Sequence, residues 1–322
     1  MPSCMNCTGR AGHRSPKAAP MDISVIIVSY NTKNLLQTCL HSVYETIENV
    51  SFEVLVVDNA SRDGSPAMLR KEFPGVRVIE NPQNRGFAAA NNQALAIMKG
   101  RYALLLNTDT VLKENAVYEL FSFMEAHPEA AMASGQLLNA DGSRQNSIAN
   151  FPSLLTLLFN IPLLEMVFPQ KYPSKRYLHE EPIEIDSGIG ACLLVRRKAI
   201  EEVGPLDERY FFFFEETDWA MQMKMAGWKT FHVPTAYIYH LQGQSIGHDI
   251  RSRIEFYHSR YQYFRKWKTY PYYLVVSVVI FFRLLMNWLL TSIAIVLSLG
   301  IKKEMRNKWV TYCQLIVWHL KG

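Results

Sequence analysis

The stretch YALLLNTDT at residues 102–110 decides the fold class, because it joins an apolar run of strand length to three polar residues. Tyr102–Leu106 is apolar on both faces, which is typical of a strand buried inside a sheet. Asn107, Thr108 and Asp109 would then stand at the carboxyl end of that strand. In open sheets of parallel strands, ligands bind at that end.

Similar apolar runs and helical patterns surround this stretch. The runs Ile23–Ser29, Glu53–Val57 and Val76–Glu80 precede it, and helical patterns are found at Gly86–Lys99 and Glu114–Ala126. Strands that alternate with helices predict an α/β protein whose mostly parallel sheet is flanked by helices. The polar residues at the carboxyl ends of the strands are therefore candidate ligand contacts: Ser29, Tyr30, Asn31, Asp58, Asn59 and Asn107.

The second half of the chain adds carboxylates and a histidine. Leu154–Phe168 is too short and too interrupted to cross a bilayer, so we expect a flap or a surface-embedded segment. An acidic cluster follows an aromatic run at 211–214, and a histidine follows an apolar strand-like segment; these residues are Glu215, Glu216, Asp218 and His240. Neighbouring carboxylates raise one another's pKa, which suits a general base.

Each of these features has two interpretations when it is taken alone. Asp109 is either a ligand for Mg²⁺ or Mn²⁺, which prefer oxygen donors, or part of a turn. Asp58 either binds a base or ribose or stabilises its own loop. The acids near Glu216 are either catalytic or solvated acids at a helix N-terminus, and His240 is either a metal ligand or a packed structural residue.

Composition limits the class of protein. The 322 residues are 49% hydrophobic and 20% charged, with a net charge of +5, which excludes a disordered chain, a collagen and a disulfide-stapled mini-protein. Five cysteines form no disulfide framework and favour a reducing compartment. Residues 1–20 lack an apolar run, so we expect a disordered leader and no export signal.

The charge is unevenly distributed. An acidic body at 21–250 precedes a basic and apolar tail at 251–322, and within the tail the segment Tyr273–Leu299 contains a single charged residue, Arg283. That segment is long enough to cross a membrane, although it could also lie in the interface or be a buried helix. We expect a helical tail that meets an anionic membrane rather than nucleic acid.

The motifs, taken in order, resemble family 2 glycosyltransferases of the GT-A fold. The matching stretches are VIIVSYNT (25–32), EVLVVDNASRDGS (53–65), ENPQNRGFAAANNQ (80–93), YALLLNTDT (102–110), GACLLVRRKAI (190–200), VGPLDERYFFFFEETDWAMQMKMAGW (203–228) and IYHLQGQS (238–245). The likeness covers about 23–247 and is greatest to the rhamnosyltransferase-like branch that builds bacterial surface polysaccharides.

The resemblance implies a role for each matching residue. Asp109 and His240 would bind Mg²⁺ or Mn²⁺, although Asn107 replaces the first Asp of the family's usual Asp-x-Asp. Glu216 would be the catalytic base, with Glu215 and Asp218 shaping its site. Further residues would bind the nucleotide (Ser29, Tyr30, Asn31, Asp58, Asn59, Arg85, Asn107), the sugars (Gly188, Gly190, Ala191, Trp219) and the phosphates (Gln242, Gly243, Ser245).

The activity implied is inverting transfer of a sugar, such as rhamnose from dTDP-rhamnose, to a glycan or polyprenyl-linked acceptor at the cytoplasmic face of the cell membrane. A single displacement needs one base and inverts the anomeric centre, because no carboxylate attacks the sugar. Two alternatives remain open at this point. One is a nucleotidyltransferase, and the other is a membrane-bound scaffold whose transferase domain is degenerate.

Overall fold

The computed structural model describes residues 21–173, 179–241, 250–298 and 301–321. The predicted leader at 1–20 and the predicted phosphate loop with Gln242, Gly243 and Ser245 lie outside the described residues.

The strands follow the predicted pattern in the first half of the chain and extend it in the second. Their bounds are β1 Ile23–Ser29, β2 Phe52–Asp58, β3 Arg77–Glu80, β4 Tyr102–Asn107, β5 Thr110–Leu112, β6 Ala130–Leu138, β7 Ile148–Ala149, β8 Ile183–Ile185, β9 Ser187–Gly188, β10 Cys192–Arg196 and β11 Lys229–His240. Nine of them form one sheet in the order β3-β2-β1-β4-β10-β6-β11-β5, with β8 paired to β11, and β7 pairs separately with β9.

Eleven helices are seen within the described ranges. Their bounds are α1 Lys33–Thr46, α2 Ser65–Glu72, α3 Phe87–Leu95, α4 Ala116–Ala126, α5 Leu154–Leu158, α6 Ile161–Val167, α7 Arg197–Val203, α8 Glu215–Met225, α9 Ile250–Trp267, α10 Tyr270–Leu297 and α11 Lys303–Leu320. The segment 154–168, predicted as one flap, is thus two short helices, α5 and α6.

The sheet is parallel where the sequence analysis was most direct and mixed beyond it. Strands β2 and β4 flank β1 in parallel, and β3 pairs in parallel with β2. Strand β10, however, is antiparallel to both β4 and β6. The α/β class with a mostly parallel sheet is confirmed, since β11 also pairs in parallel with β6 and both run in the direction of β4, with β10 inserted in the opposite direction between β4 and β6.

Apolar layers cover both faces of the sheet. Ile23, Val25 and Ile27 pack on one face with residues of α1, α2 and α4. Ile26 lies on the other face with residues of α3 and α8. Burial on both faces explains why the strands are continuous apolar runs.

The C-terminal helices form a smaller cluster of their own. Leu157 of α5 packs there with Phe264 of α9, Ile280 of α10 and Leu315 of α11. Helix α9 also contacts the sheet-bearing body, because Lys266 forms ion pairs with Asp207 and Asp218. The predicted boundary at residue 250 therefore divides elements that pack together.

Candidate active site

A cavity of about 370 Å³ opens at the carboxyl edge of the parallel strands, where the sequence predicted ligand contacts. The loops after β1, β2, β3 and β4 meet there, together with the aromatic turn before α8 and the first turns of α9. The lining residues are Val28, Tyr30, Thr32, Asn59, Asn84, Gly86, Phe87, Asn107, Thr108, Phe211, Phe212, Phe213, Arg251, Ser252 and Glu255.

Asp58 ends β2 next to the cavity-lining Asn59, and its two carboxylate oxygens differ in their partners. Its Oδ1 accepts a hydrogen bond from the Ser61 N–H at 2.9 Å. Its Oδ2 is buried and has no hydrogen-bond partner among the described residues. A buried carboxylate oxygen without a donor is costly, so this atom suits a ligand donor such as a base N–H or a sugar hydroxyl.

Asn59 holds the loops of the cavity together. The Asn59 N–H donates to the Ser29 carbonyl at 2.8 Å, and its side-chain amide donates to the Gly86 carbonyl at 3.1 Å. Its carbonyl Oδ1 accepts from the amide of Asn81 at 2.9 Å. Asn59 thus lines the cavity and also fixes the backbone of two neighbouring loops.

The other predicted nucleotide residues divide into exposed and buried side chains. Tyr30 lines the cavity with 49% of its surface exposed, so its ring is accessible to a ligand. Asn31 adopts a left-handed backbone, with a φ of 54°, and its Oδ1 accepts from the Arg62 N–H at 2.7 Å. Ser29 is fully buried against Thr32, with 3.2 Å between the two hydroxyl oxygens. The Arg85 side chain is exposed at the surface.

Asp109 and His240 meet although they are distant in sequence. The Asp109 Oδ1 and His240 Nε2 atoms lie 3.6 Å apart, and Asp109 is 1% exposed. The His240 Nδ1 lies 3.0 Å from the Gln145 Oε1, which orients the ring so that Nε2 faces Asp109. Burial lowers the pKa of His240, while the Asp109 charge opposes that shift, so the imidazole is neutral and able to ligate.

Asp109 and His240 together could supply two of the ligands of a divalent cation. Asp109 supplies a carboxylate oxygen and His240 a ring nitrogen, a donor set that suits Mn²⁺ and is tolerated by Mg²⁺. No cluster of three or more His, Cys, Asp or Glu able to hold a metal was found in the described part of the chain. The oxygens of a diphosphate would have to complete the coordination shell.

Glu216, in the first turn of α8, lies beside Gly190. A Cβ placed on Gly190 would lie 3.5 Å from the Glu216 carboxyl carbon, so this glycine leaves space directly beside the carboxylate. The next residue, Ala191, accepts a hydrogen bond from the Asn107 N–H at 3.0 Å. Gly190 and Ala191 thus connect the Asn-Thr-Asp end of β4 to the first turn of α8.

Two adjacent carboxyls at the start of α8 have raised pKa values. Burial, and then the charge of Glu216, raise the pKa of Glu215 well above its ordinary range. Burial also raises the pKa of Glu216. The Glu215 Oε2 is buried and has no hydrogen-bond partner among the described residues. The two carboxyls therefore share a buried environment that disfavours ionising both at once.

A strained aromatic turn positions these acids. Phe213 and Phe214 both adopt left-handed backbone, with φ of 68° and 70°, immediately before Glu215. Such conformations are costly for large side chains and persist only where the surroundings impose them. Here the Phe212 carbonyl accepts from the Ser259 hydroxyl at 2.8 Å, and the Phe211 carbonyl accepts from the Phe87 N–H at 2.7 Å.

The sequence did not predict that α9 forms one wall of the cavity. Arg251, Ser252 and Glu255 line the cavity, and the charge of Glu255 adds to the rise in the pKa of Glu215. The charge asymmetry of the chain had assigned these residues to the tail. The spacing 251, 252 and 255 on one helical face was the available signal, but it needs the fold to show which face is turned inward.

Three predicted site residues have other roles in the structure. Trp219 is fully buried and donates its indole N–H to the Gly204 carbonyl at 2.9 Å, so it belongs to the core and cannot contact a sugar. Asp218 is fully buried against Lys266 of α9, so it stabilises the contact between α8 and α9. Gly188 packs against Ser134, since an added Cβ would lie 2.7 Å from its side chain.

Solved structures identify the class of fold. A mannosyltransferase from Pyrobaculum calidifontis, solved with GDP-Man and Mn²⁺, superposes with a TM-score of 0.56 at 17% identity, over 95% of this chain and 91% of that one. GalNAc-T7, solved with UDP, GalNAc and Mn²⁺, gives 0.53 at 16% identity over 70% of this chain and 44% of that one. The fold is therefore the GT-A glycosyltransferase fold, as the sequence predicted.

The chain belongs to glycosyl transferase family 2, whose model matches residues 24–204. A relative from Mycobacterium tuberculosis (strain ATCC 25618 / H37Rv), N-acetylglucosaminyl-diphospho-decaprenol L-rhamnosyltransferase, is 30% identical over 251 residues, which are 73% of this chain and 81% of the relative. The hexosyltransferase Agl10 of low-salt glycan biosynthesis in Haloferax volcanii is 24% identical over 63% of this chain and 62% of that protein. The chain is thus a glycosyltransferase of glycan biosynthesis and not a nucleotidyltransferase.

Proposed function

We propose that this enzyme transfers a sugar, with inversion, from a nucleoside diphosphate donor such as dTDP-rhamnose to a lipid-linked glycan at the cytoplasmic face of the membrane. The observation that carries the proposal is the placement of the Glu216 carboxylate beside Gly190, next to the strand end that holds Asp109. The relative from Mycobacterium tuberculosis, named as a rhamnosyltransferase acting on a decaprenol-linked sugar, supports the choice of donor and acceptor.

The nucleoside would occupy the cavity formed by the first three loops. The Asp58 Oδ2 would accept a hydrogen bond from the base or ribose, and the Tyr30 ring would stack on the nucleoside. Arg251, on the α9 wall of the same cavity, would balance the charge of the diphosphate. Ser29, Asn31 and Asn59 would keep the loops in shape, as their hydrogen bonds indicate.

Asp109 and His240 would hold a divalent cation, Mg²⁺ or Mn²⁺. The bound cation would neutralise the charge that develops on the diphosphate leaving group. Asn107 gives the site one carboxylate fewer than the family's usual motif. The site therefore depends more strongly on the donor's phosphates to retain the ion than a site with two aspartates would.

Glu216 would act as the base. The acceptor hydroxyl gives its proton to the Glu216 carboxylate as its oxygen forms a bond to the anomeric carbon. The bond from that carbon to the diphosphate oxygen breaks, and the leaving group takes the electron pair. Gly190 would leave space for the acceptor next to Glu216, and burial, which raises the pKa of Glu215, favours the uncharged form of that neighbour while Glu216 is ionised.

We further propose that the catalytic domain runs from residue 21 through α9, with a membrane-associating tail after it. Helix α9 supplies cavity-lining residues and forms buried ion pairs with the body. A tail cut at residue 250 would therefore remove part of the active site, whereas a cut after Trp267 would leave it complete.

The test is a transfer assay with the full chain in detergent. We expect one nucleotide sugar, from a panel of dTDP, UDP and GDP donors, to yield a glycosylated polyprenyl-diphosphate acceptor with inverted anomeric configuration. Glu216→Gln should lose at least about a hundredfold in rate while binding the donor normally. Glu208→Gln on the surface loop before the aromatic turn is the matched control. Retention of configuration, or full activity of Glu216→Gln, would overturn the proposal.

A further inference from the structure

Among the described residues, α10 is the one helix long and apolar enough to cross a membrane, and only 17% of its most apolar window is buried. The exposed apolar side chains of α10 follow a helical period along one side. We define the outer stripe of α10 as Leu274, Val278, Phe282, Met286, Leu290 and Ile293. The stripe is too extensive to be a scatter of exposed residues, so it marks a surface that binds something apolar.

The opposite side of α10 is covered by α11, which returns along it. Near the C-terminal end of α10 the Trp309 indole of α11 donates to the Ser292 hydroxyl at 2.8 Å. At the near end the His319 ring stacks on Phe281, with 5.3 Å between ring centres, and the Tyr261 hydroxyl lies 2.8 Å from the His319 Nδ1. The two helices therefore form a closed antiparallel hairpin attached to α9.

The outward side of α11 is polar and basic. Lys303, Asn307, Gln314 and Lys321 are exposed there, interspersed with the exposed Val310 and Val317. If the hairpin crossed a bilayer, Gln314, near the middle of α11, would enter the hydrocarbon region, where polar groups are disfavoured. A hairpin with one apolar side and one polar side fits the boundary between lipid and water.

The position of α5 argues against an upright crossing as well. The Arg283 guanidinium donates to the Leu157 carbonyl of α5 at 2.8 Å. Arg283 is thirteen residues beyond Tyr270, which is about 20 Å along a helix. Because α10 is about 42 Å long, an upright α10 would carry α5, and the body attached to it, about 9–20 Å into a hydrocarbon core of about 30 Å.

We propose that the α10–α11 hairpin lies in the plane of the membrane interface, with the outer stripe of α10 in the lipid, and that α5 and α6 enter the same leaflet beside it. Leu158, Met166 and Phe168, in or next to these short helices, are at least half exposed. Cations at both ends of α10, among them Lys268, Lys302 and Lys303, match an anionic leaflet on one side of the membrane.

This arrangement rests on the proposed function for its purpose, because it would bring a lipid-linked acceptor to the base. Helix α5 follows β7, whose Ile148 pairs with Gly188 of β9. Gly188 is two residues before Gly190, which lies beside Glu216. The lipid-facing helices therefore adjoin the acceptor side of the site.

Cysteine labelling distinguishes the in-plane hairpin from a crossing. The full chain, with Cys4, Cys7 and Cys313 changed to Ser, would carry either Ile301→Cys at the hairpin turn or Gln314→Cys. Sealed inside-out vesicles from a bacterial expression host would be treated with a membrane-impermeant maleimide. We expect both positions to react without detergent, as does the control Asp141→Cys in an exposed loop. An Ile301→Cys that reacts only after detergent would show that α10 crosses, which would overturn the proposal.

Vesicle flotation tests the apolar stripe itself. The pair Phe282→Asp and Met286→Asp should weaken binding to phosphatidylglycerol vesicles by about tenfold or more, and Gln314→Asp on the polar side should not. Unchanged binding, or a stripe variant that only converts a dimer to a monomer, would overturn the membrane assignment. If the enzyme transferred sugar from no donor, the proposed function would be wrong. The cysteine labelling and the vesicle flotation would still test the position of the hairpin in the membrane.

Discussion

The buried ion pair between Asp218 and Lys266 offers a quantitative test of how α9 is attached. Asp218 is fully buried and its Oδ2 lies 2.6 Å from the Lys266 Nζ. Three uncharged groups also donate to this carboxylate: the Trp267 indole at 2.6 Å, the Gln222 amide at 2.7 Å and the Tyr210 hydroxyl at 3.2 Å. Removing the lysine would leave a buried carboxylate held by neutral donors alone.

We expect Lys266→Met to lower the free energy of unfolding by about 3 kcal/mol. Loss of one partner from a buried pair costs about 3–5 kcal/mol, and the three remaining donors place this case at the lower end. Urea denaturation followed by tryptophan fluorescence would measure the change. The donor affinity should fall too, since Arg251 and Glu255 reach the cavity only while α9 is docked.

The double variant Lys266→Met, Asp218→Asn isolates the cause. The amide that replaces the Asp218 carboxylate can still accept from the Trp267 indole, but it carries no charge. About half or more of the stability lost in Lys266→Met should therefore return. Lys268→Met, one residue beyond α9 and exposed, is the matched control and should change stability by less than about 0.5 kcal/mol. A loss below about 1 kcal/mol for Lys266→Met would refute the role assigned to this pair.

Two further changes probe the site. Gly86→Ala should destabilise the fold by about 1–3 kcal/mol and weaken donor binding, because Gly86 has a φ of +83° and its Cβ would lie 2.6 Å from the Phe211 carbonyl oxygen; normal urea stability would contradict this. The transfer rate should rise with pH through an apparent pKa above the ordinary glutamate value, because the base must be ionised and burial raises the pKa of Glu216. A rate already maximal at pH 4 would rule that out. Glu215 has a raised pKa in the folded state, so stability to urea should fall as the pH rises above the pKa of an unfolded glutamate, and Glu215→Gln should reduce that fall.

The sequence predicted the parallel half of the fold well because the physics there is local. The strands β1, β2 and β4 are continuous apolar runs, and each ends in polar residues that converge because parallel strands share one carboxyl edge. The separation between Asp109 and His240 posed no obstacle, since β11 pairs with β5 directly after Asp109 and so ends beside it. The resemblance to a family supplied the expected roles.

The predictions were wrong where contacts between distant parts of the chain determine which way a side chain points. Trp219 is close in sequence to Glu215 and Glu216, but consecutive helical residues point in different directions, and Trp219 faces the core. Asp218 is also buried rather than turned toward a ligand, because it pairs with Lys266, which is 48 residues away in the sequence. The basic character of residues 251–322 suggested a separate tail, yet α9 uses its charges partly to bind the acidic body.

The most direct test of the central claim is the affinity for Mn²⁺ in the presence of a nucleoside diphosphate, followed by electron paramagnetic resonance of the free ion. The account predicts tight Mn²⁺ binding only when dTDP or UDP is present, and a loss of at least about tenfold in Asp109→Asn but none in the exposed-loop control Asp141→Asn. Equal Mn²⁺ affinity in the wild type and Asp109→Asn, with or without nucleotide, would contradict it.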